Sequence, residues 1–540
     1  MDRRTFLRAA GLSTLAVAAG TGFTACSSRN DAGPTGSGSG STTLVLPTYR
    51  DAGAAAADLV GAHEGSLPGF FAYPANPSRM YERPVVDDLE ITALTYSFSP
   101  VVPGLSENEM WQNINETIGA KIDISYTPDA DYDSRFATTI AGGDIPDLVA
   151  IRPPVQELPA MLEAAFADLT DHLSGDAILD YPSLAAIPTA AWRKAVVQGR
   201  IWGLPVPRPP IGPAFFVRKD LLEQRGLPVQ PRNFDELADT FRALTDARSN
   251  TYASASVIEL VGFLANTLNV SNGWSEEGGS FTYWVETDEY EQALAETTGL
   301  VEEGVFHPDS IATQNTQRNE WFTNGSAPMI IAGWGGWHSF VNWGKEVAGH
   351  EVAAIIPFGH DGGEEAKHAL AESSGFTALR KADPERIDQI LRVADWLASP
   401  FGTQDYLTRK FGIEGVTYDL AGSDPVSNER GSNLRLVPFA YLTDCMGPIY
   451  QAGDQAVVQA RFDYQEQVLP MIDPDPTDGL YAPAQSAKGA QLEKILEDGR
   501  NDVLAGRRPV SQWADVVDEW RSRGGDEIRQ QYEDALDAAG

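Results

Sequence analysis

The regular alternation between residues 89 and 151 constrains the fold of this chain most. Leu89-Glu90-Ile91-Thr92-Ala93-Leu94 alternates apolar and polar side chains with the period of a strand. Glu109–Ile118 follows with a helical pattern, and Ser106 is its candidate N-cap. Lys121–Tyr126 is a second alternating strand, Tyr132–Ala141 is predicted helical up to Gly142-Gly143, and Asp147–Ile151 is a short apolar strand. Strands joined through helices pair in parallel, so this order predicts a parallel sheet with helices on its faces. Further strands are predicted at Ala214–Val217, Ala327–Ala332 and Glu351–Pro357, and a helix capped by Asn233 at Phe234–Leu244. Arg386–Ala398 is an amphipathic helix whose Ile387, Ile390, Leu391, Ala394 and Leu397 share one face. The tail from Ala487 to Ala539 reads as three helices divided near Gly506 and Gly524.

The first 43 residues have a different character. Arg3, Arg4 and Arg8 precede a charge-free stretch from Ala9 to Ala25, too short and too weakly apolar for a permanent bilayer span of about 20 residues. The Arg pair followed by Thr5-Phe6-Leu7 resembles a twin-arginine export signal, and Phe23-Thr24-Ala25-Cys26 resembles a lipobox. These resemblances imply a signal over 1–25 and a lipidated Cys26 that ties the exported chain to the outer face of the cell membrane. Residues 26–43 are rich in Gly, Ser and Thr and read as a flexible tether. Residues 44–87 carry Pro47, Pro68, Pro74, Pro77 and Pro84 and read as an irregular N-terminal arm.

The chain has 540 residues and a formal charge of −36, and loss of the signal would leave it more acidic still. Such a surface repels phosphate backbones, so no nucleic-acid partner is expected. Cys26 and Cys445 are the two cysteines. With Cys26 lipidated, Cys445 has no partner in the chain, and stability must come from a large core.

Several segments resemble family 1 extracellular solute-binding proteins, the receptors of carbohydrate ABC importers, and in particular their large lipoprotein branch. They are Asp144-Ile145-Pro146-Asp147-Leu148, Gln198–Pro205 (QGRIWGLP), Phe215–Leu222 (FFVRKDLL), Phe322–Met329 (FTNGSAPM) and Gly412–Tyr418 (GIEGVTY), followed by the spacing of Trp513, Trp520, Gly524, Ile528 and Tyr532. The resemblance runs from about residue 88 to the end. It implies an α/β, two-lobed periplasmic-binding-protein-like fold of type II, each lobe a sheet flanked by helices and joined to the other by hinge segments. By analogy the N-lobe comprises 88–207 and 328–377 and the C-lobe 208–327 and 378–540, with crossings near Pro205–Pro213, Ser326–Met329 and Ser374–Leu379. It further implies an oligosaccharide ligand held between the lobes, ABC permease subunits as partners, and a monomer.

Sugars present hydroxyl edges and apolar faces, so aromatic planes beside polar groups mark candidate ligand contacts. Gly333-Trp334-Gly335-Gly336-Trp337-His338, directly after a predicted strand, makes Trp334 and Trp337 the first candidates for the cleft, although their spacing also suits a core face. Arg152 past the strand 147–151, Glu414 in a tight Gly-flanked loop, Trp274 in the 271–280 loop and Arg208 among the prolines of the first crossing complete the set. No cofactor is expected. The branch often carries an Asp/Asn-rich calcium loop after the helix 234–244, but here Arg248 replaces an oxygen ligand, and no metal is expected. The chain lacks HExxH and Walker A motifs, and GxSxG outside its signal, so an enzyme is not expected. Two alternatives stay open: a lipid-anchored glycoside hydrolase, whose paired carboxylates are recognisable only in space, and a surface carbohydrate-binding adhesin or sensor.

Overall fold

The computed structural model describes residues 44–539 apart from 53–54, 99–101, 154, 364, 372–374 and 436. The expected signal, the tether and Cys26 lie outside the described residues. Two sheets organise the chain. Their strands are β1 (Leu89–Ser97), β2 (Ala120–Pro128), β3 (Leu148–Ile151), β4 (Leu204–Pro205), β5 (Pro213–Arg218), β6 (Met329–Gly333), β7 (Val352–Ile355) and β8 (Phe376–Leu379).

The first sheet has the order β2-β1-β3-β8-β4. β1 runs parallel to β2 from Leu89↔Ala120 to Ser97↔Pro128 and parallel to β3 at Ala93↔Leu148, while β8 is antiparallel to both of its neighbours. Helix α1 (Glu109–Ile118) joins β1 to β2, and α2 (Asp129–Gly142) joins β2 to β3. The order reverses about β1, which sends the two helices to opposite faces. Alternation along β1 serves both faces. Ile91 and Ala93 join a core with Trp111, Ile114 and Ile118 of α1, and Leu94 and Tyr96 join another with Tyr132 and Phe136 of α2. The cap of α1 is Asn108, whose side chain accepts from Trp111 N at 3.1 Å, two residues beyond the expected Ser106. Gly119 ends α1 at φ 77° and turns the chain straight into β2.

The second sheet is antiparallel, with β5 between β6 and β7. Phe215 and Val217 face a core shared with Leu237 and Phe241 of α3 (Phe234–Leu244), and Ala214 and Phe216 face another that holds Trp334, Trp337 and Phe340. Helix α4 (Trp337–Trp343) follows β6 directly after one 3-10 turn.

The lobe boundaries differ from expectation. Residues 328–377 were expected in the first lobe, but β6 and β7 pair with β5 in the second sheet. The expected crossing at Ser326–Met329 therefore joins parts of one lobe. Residues from 378 onward were expected in the second lobe, yet α5 (Pro384–Leu397) buries Ile387, Ile390 and Leu391 in the Trp111 core of the first. Helices α6 (Gln404–Lys410) and α7 (Glu429–Leu434) follow in the chain, and Leu434 and Phe439 join that same core. The chain then enters the second lobe, where α8 (Gln455–Val468) packs Val458 and Phe462 beneath Trp334 and Trp337. Three terminal helices, α9 (Pro483–Leu504), α10 (Trp513–Trp520) and α11 (Asp526–Ala539), complete the Phe215 core. Strand pairing is a contact between distant stretches, so the local pattern of 328–357 identifies strands without saying which sheet receives them.

The arm touches both lobes. Thr48 and Arg50 donate backbone bonds to Gly175 and Ala185 of the first lobe, and Gly69-Phe70 pairs in parallel with Ile449-Tyr450. Among the described residues no helix is long and apolar enough to cross a membrane.

Candidate functional site

In an open α/β sheet a ligand site forms outside the carboxyl ends of the strands where their order reverses. Here that point lies between β1 and β3. β1 delivers Tyr96 and then Phe98, and β3 delivers Arg152. Tyr441, on the segment after α7, covers this end of the sheet: its backbone oxygen accepts from Thr95 Oγ1 at 3.3 Å and from Thr377 Oγ1 at 3.5 Å. Tyr96, Phe98 and Tyr441 form one aromatic group, with ring centroids 4.8 Å apart for Tyr96–Tyr441, 5.7 Å for Tyr96–Phe98 and 5.8 Å for Phe98–Tyr441. Phe98 is 57 % exposed, which makes it an open apolar plane at the switch point.

Cations surround this group. Arg208, exposed on the segment between β4 and β5, lies 5.6 Å from the Tyr441 ring. Burial raises the phenol pKa of Tyr96 and of Tyr441, and Arg208 opposes the shift in both. Deeper in, Asp444 pairs with Arg409 at 2.7 Å and with Lys410 at 2.8 Å, both at the end of α6.

The second lobe supplies the opposite wall. His338, at the start of α4, keeps part of its surface in solvent while protein crowds its ring, and its Nδ1 lies 2.8 Å from Gly335 O. Desolvation lowers its imidazole pKa to about 4, and the charges of Arg461, Arg435 and Lys410 add to the effect. Arg461 belongs to α8 of the same lobe, whereas Arg435 and Lys410 belong to the first. His338 thus feels charges from both lobes. Arg461 is only 6 % exposed and lies 5.3 Å from the Trp334 ring. One of its terminal nitrogens donates to Tyr450 O at 3.4 Å, while its Nε has no hydrogen-bond partner among the described residues. Burial lowers its pKa to about 10.

The expected residues divide between three places. Arg208 lies beside the aromatic group at the switch point. Arg152 reaches its edge, stacked 4.7 Å from the Tyr96 ring, but its guanidinium is already paired with Asp129 and, at 2.7 Å, with Asp133. Trp334 and Trp337, expected in the cleft, are 1 % and 2 % exposed. Trp337 is a core residue set edge-on to Phe216 and Tyr464, and Trp334 lies beneath Arg461. Their spacing of three along a helical stretch puts both indoles on the buried side. Glu414 is exposed and lines a separate pocket of about 720 Å³ with Tyr73, Arg83 and Tyr418. Trp274 meets Tyr283 and Trp520 at tilted angles in another pocket, of about 390 Å³, beside α9. The residue reading missed Phe98, Tyr441, Arg435 and Arg461. Arg461 had a signal, since it stands among Val458, Phe462, Gln465 and Val468 on the apolar face of a helix. The loop expected to be free of metal closes on itself, with Asp246 accepting from Arg248 N at 3.1 Å and Ser249 Oγ at 2.9 Å.

Comparison with known proteins agrees with this architecture. The chain is 25% identical to the polygalacturonan/rhamnogalacturonan-binding protein YtcQ of Bacillus subtilis, over 79% of this chain and 88% of that one. It is 23% identical to the lipoprotein LipO of the same organism, over 76% of this chain and 85% of that one. The crystal structure of the alginate-binding protein AlgQ2 superposes with a TM-score of 0.61 at 15% identity, covering 85% of this chain and 100% of that chain. The fold is the two-lobed, type II solute-binding architecture. Residues 103–403, more than half of the chain, match the model for bacterial extracellular solute-binding proteins, and the chain belongs to that family.

Proposed function

We propose that the protein is a lipid-anchored extracellular receptor that captures an oligosaccharide between its lobes and delivers it to the permease of an ABC importer. The observation that carries this reading is the aromatic group of Tyr96, Phe98 and Tyr441 beside Arg208 at the switch point of the first sheet. An exposed ring offers a plane for the apolar face of a sugar, and guanidinium donors offer hydrogen bonds to its edge. Closure of the lobes would bring His338 and Arg461 onto the same ligand and create the shape that a permease recognises. A relative named for polygalacturonan and rhamnogalacturonan binding supports a carbohydrate ligand, and one named as a lipoprotein supports an anchor at Cys26. Export by the twin-arginine route, the outer face of the cell membrane, a monomeric state and a role without catalysis complete the proposal.

Binding is tested by thermal unfolding and tryptophan fluorescence over a panel of plant and microbial oligosaccharides. A ligand at a hundred times its Kd adds about 2.7 kcal/mol of stability. Phe98→Ala is expected to weaken binding roughly ten-fold without lowering stability, because its ring is exposed in the free protein. Release of shorter products would establish the hydrolase instead, and the absence of stabilisation by any oligosaccharide would leave the adhesin or sensor reading.

A further inference from the structure

The geometry points to a second saccharide site in the pocket beside α9, one that takes a short neutral sugar segment and lies wholly within the second lobe. It goes beyond the receptor reading above, because none of its lining residues belongs to the aromatic group at the switch point.

One wall of the pocket is aromatic. Trp274 and Tyr283 stand in register across the antiparallel hairpin of Trp274–Glu277 and Ser280–Tyr283, and Trp520 of α10 packs against both. The ring centroids are 4.9 Å apart for Trp274–Tyr283, 5.2 Å for Tyr283–Trp520 and 6.1 Å for Trp274–Trp520. Trp274 and Tyr283 are only half-buried. The other wall belongs to α9. Gln485, Gly489, Glu493 and Glu497 recur every four residues, so each neighbours the next along the helix. Gly489 leaves room for the Gln485 amide, since a Cβ there would stand 2.8 Å from its Nε2. Tyr283 joins the two walls by donating from its hydroxyl to Glu493 at 3.4 Å. Lys494, the cation of this wall, pairs with Asp498 at 2.9 Å, and Glu497 is left without an ion pair among the described residues. Together the walls bound about 390 Å³, within the range of small-ligand sites.

The three rings touch one another, which leaves no space for a group between them. They form one continuous surface instead of a cage around a compact cation. Such a surface suits the apolar C–H face of a sugar ring, and the carboxylates and amide beside it take hydrogen bonds from its hydroxyls. Glu493 and Glu497 outnumber Lys494, which is already paired, so an anionic sugar is repelled and a neutral one is not. Because one lobe builds the whole pocket, its occupant makes the same contacts whether the lobes are open or closed, and binding there requires no closure.

The test is isothermal titration calorimetry of the mature protein and of Phe98→Ala with short neutral oligomers of glucose, galactose, mannose and xylose, beside oligogalacturonate and tetramethylammonium. At least one neutral oligomer is expected to bind with an affinity that Phe98→Ala leaves unchanged. Glu497→Ala and Ala490→Trp, both at exposed lining positions, should each weaken that binding roughly ten-fold or more while melting like the parent. Neutral binding that responds to Phe98→Ala and ignores both pocket variants overturns the second site and leaves the receptor reading standing. Binding of oligogalacturonate alone, unaffected by the pocket variants, does the same. Binding of oligogalacturonate or tetramethylammonium that is lost in Ala490→Trp, in place of a neutral oligomer, overturns the assignment to a neutral sugar. Failure of every saccharide to bind overturns the receptor reading as well.

Discussion

Asp444 holds two cations at once, and its energetics depend on that. Burial alone would raise its pKa, but Arg409 and Lys410 outweigh the burial and lower it to about 2. Lys410 does not gain in proportion. Desolvation pulls its pKa down, and the neighbouring Arg409 does so too, against the attraction of Asp444. A carboxylate with a depressed folded pKa contributes stability above its unfolded value near 3.8, and loses it as pH falls through the folded value. Wild-type protein should therefore lose about 2 kcal/mol between roughly pH 4 and pH 2 from this group. Asp444→Asn should lack that component and should be less stable by about 3 kcal/mol at neutral pH, because the buried Arg409 and the partly exposed Lys410 lose their partner. Urea unfolding at a series of pH values measures both effects. The same reasoning sets Arg461 apart, since its charge is buried without such a partner among the described residues.

At the scale of elements, local chemistry decides where helices and strands begin and end. Asn233 accepts from Glu236 N at 2.9 Å, and Asp383 accepts from Arg386 N at 3.1 Å with Pro384 as the first helical residue. The first was legible because a cap and an apolar stripe coincide, and the second from its stripe alone, which placed its start two residues late. Gly119 serves a more demanding purpose. At φ 77° an L side chain is strained, and a Cβ would stand 2.0 Å from Val86 O, where the arm runs into β1. Gly119→Ala is expected to destabilise the protein by about 2 kcal/mol. Its denaturation midpoint should fall with an unchanged denaturant slope, since the fold stays two-lobed. The lobe assignment of β6 and β7 was not legible in the same way. Met329–Gly333 has the apolar character of any buried strand, and only its register against Pro213–Val217 shows which sheet it joins.

Across the whole molecule the arm ties the lobes together. Leu67 exchanges two hydrogen bonds with the buried Gln465 of the second lobe, at 2.8 and 2.9 Å. Further on, Tyr81 donates to Asp395 at 2.8 Å and Arg83 pairs with Asp405 at 3.0 Å in the first lobe. Gln465→Leu removes both bonds to Leu67 and leaves its backbone groups buried and unsatisfied, at a cost of about 2 kcal/mol. Hydrogen exchange should then quicken over residues 62–70 and stay unchanged around Tyr81 and Arg83. Equal quickening in both stretches would show that the arm is released as one unit and not lobe by lobe.

The sequence by itself determined the β-α-β-α-β start, several helices, the Asn233 cap and the solute-binding family, because these follow from periodicity, capping chemistry and ordered local motifs. It also singled out Arg208 and Arg152, which the fold sets against the Tyr441 and Tyr96 rings. Tertiary structure alone decided the membership of the two lobes and which side chains stand together at the switch point. Tyr96 meets Tyr441 across 345 positions, and the charges of Lys410 and Arg435 reach His338 from the other lobe. Trp334 and Trp337 were conspicuous in the sequence, yet packing against Arg461, Phe216 and Tyr464 took both out of solvent. Residue type gives a side chain its capacity to bind, but access and partners are set by what the rest of the chain folds against it.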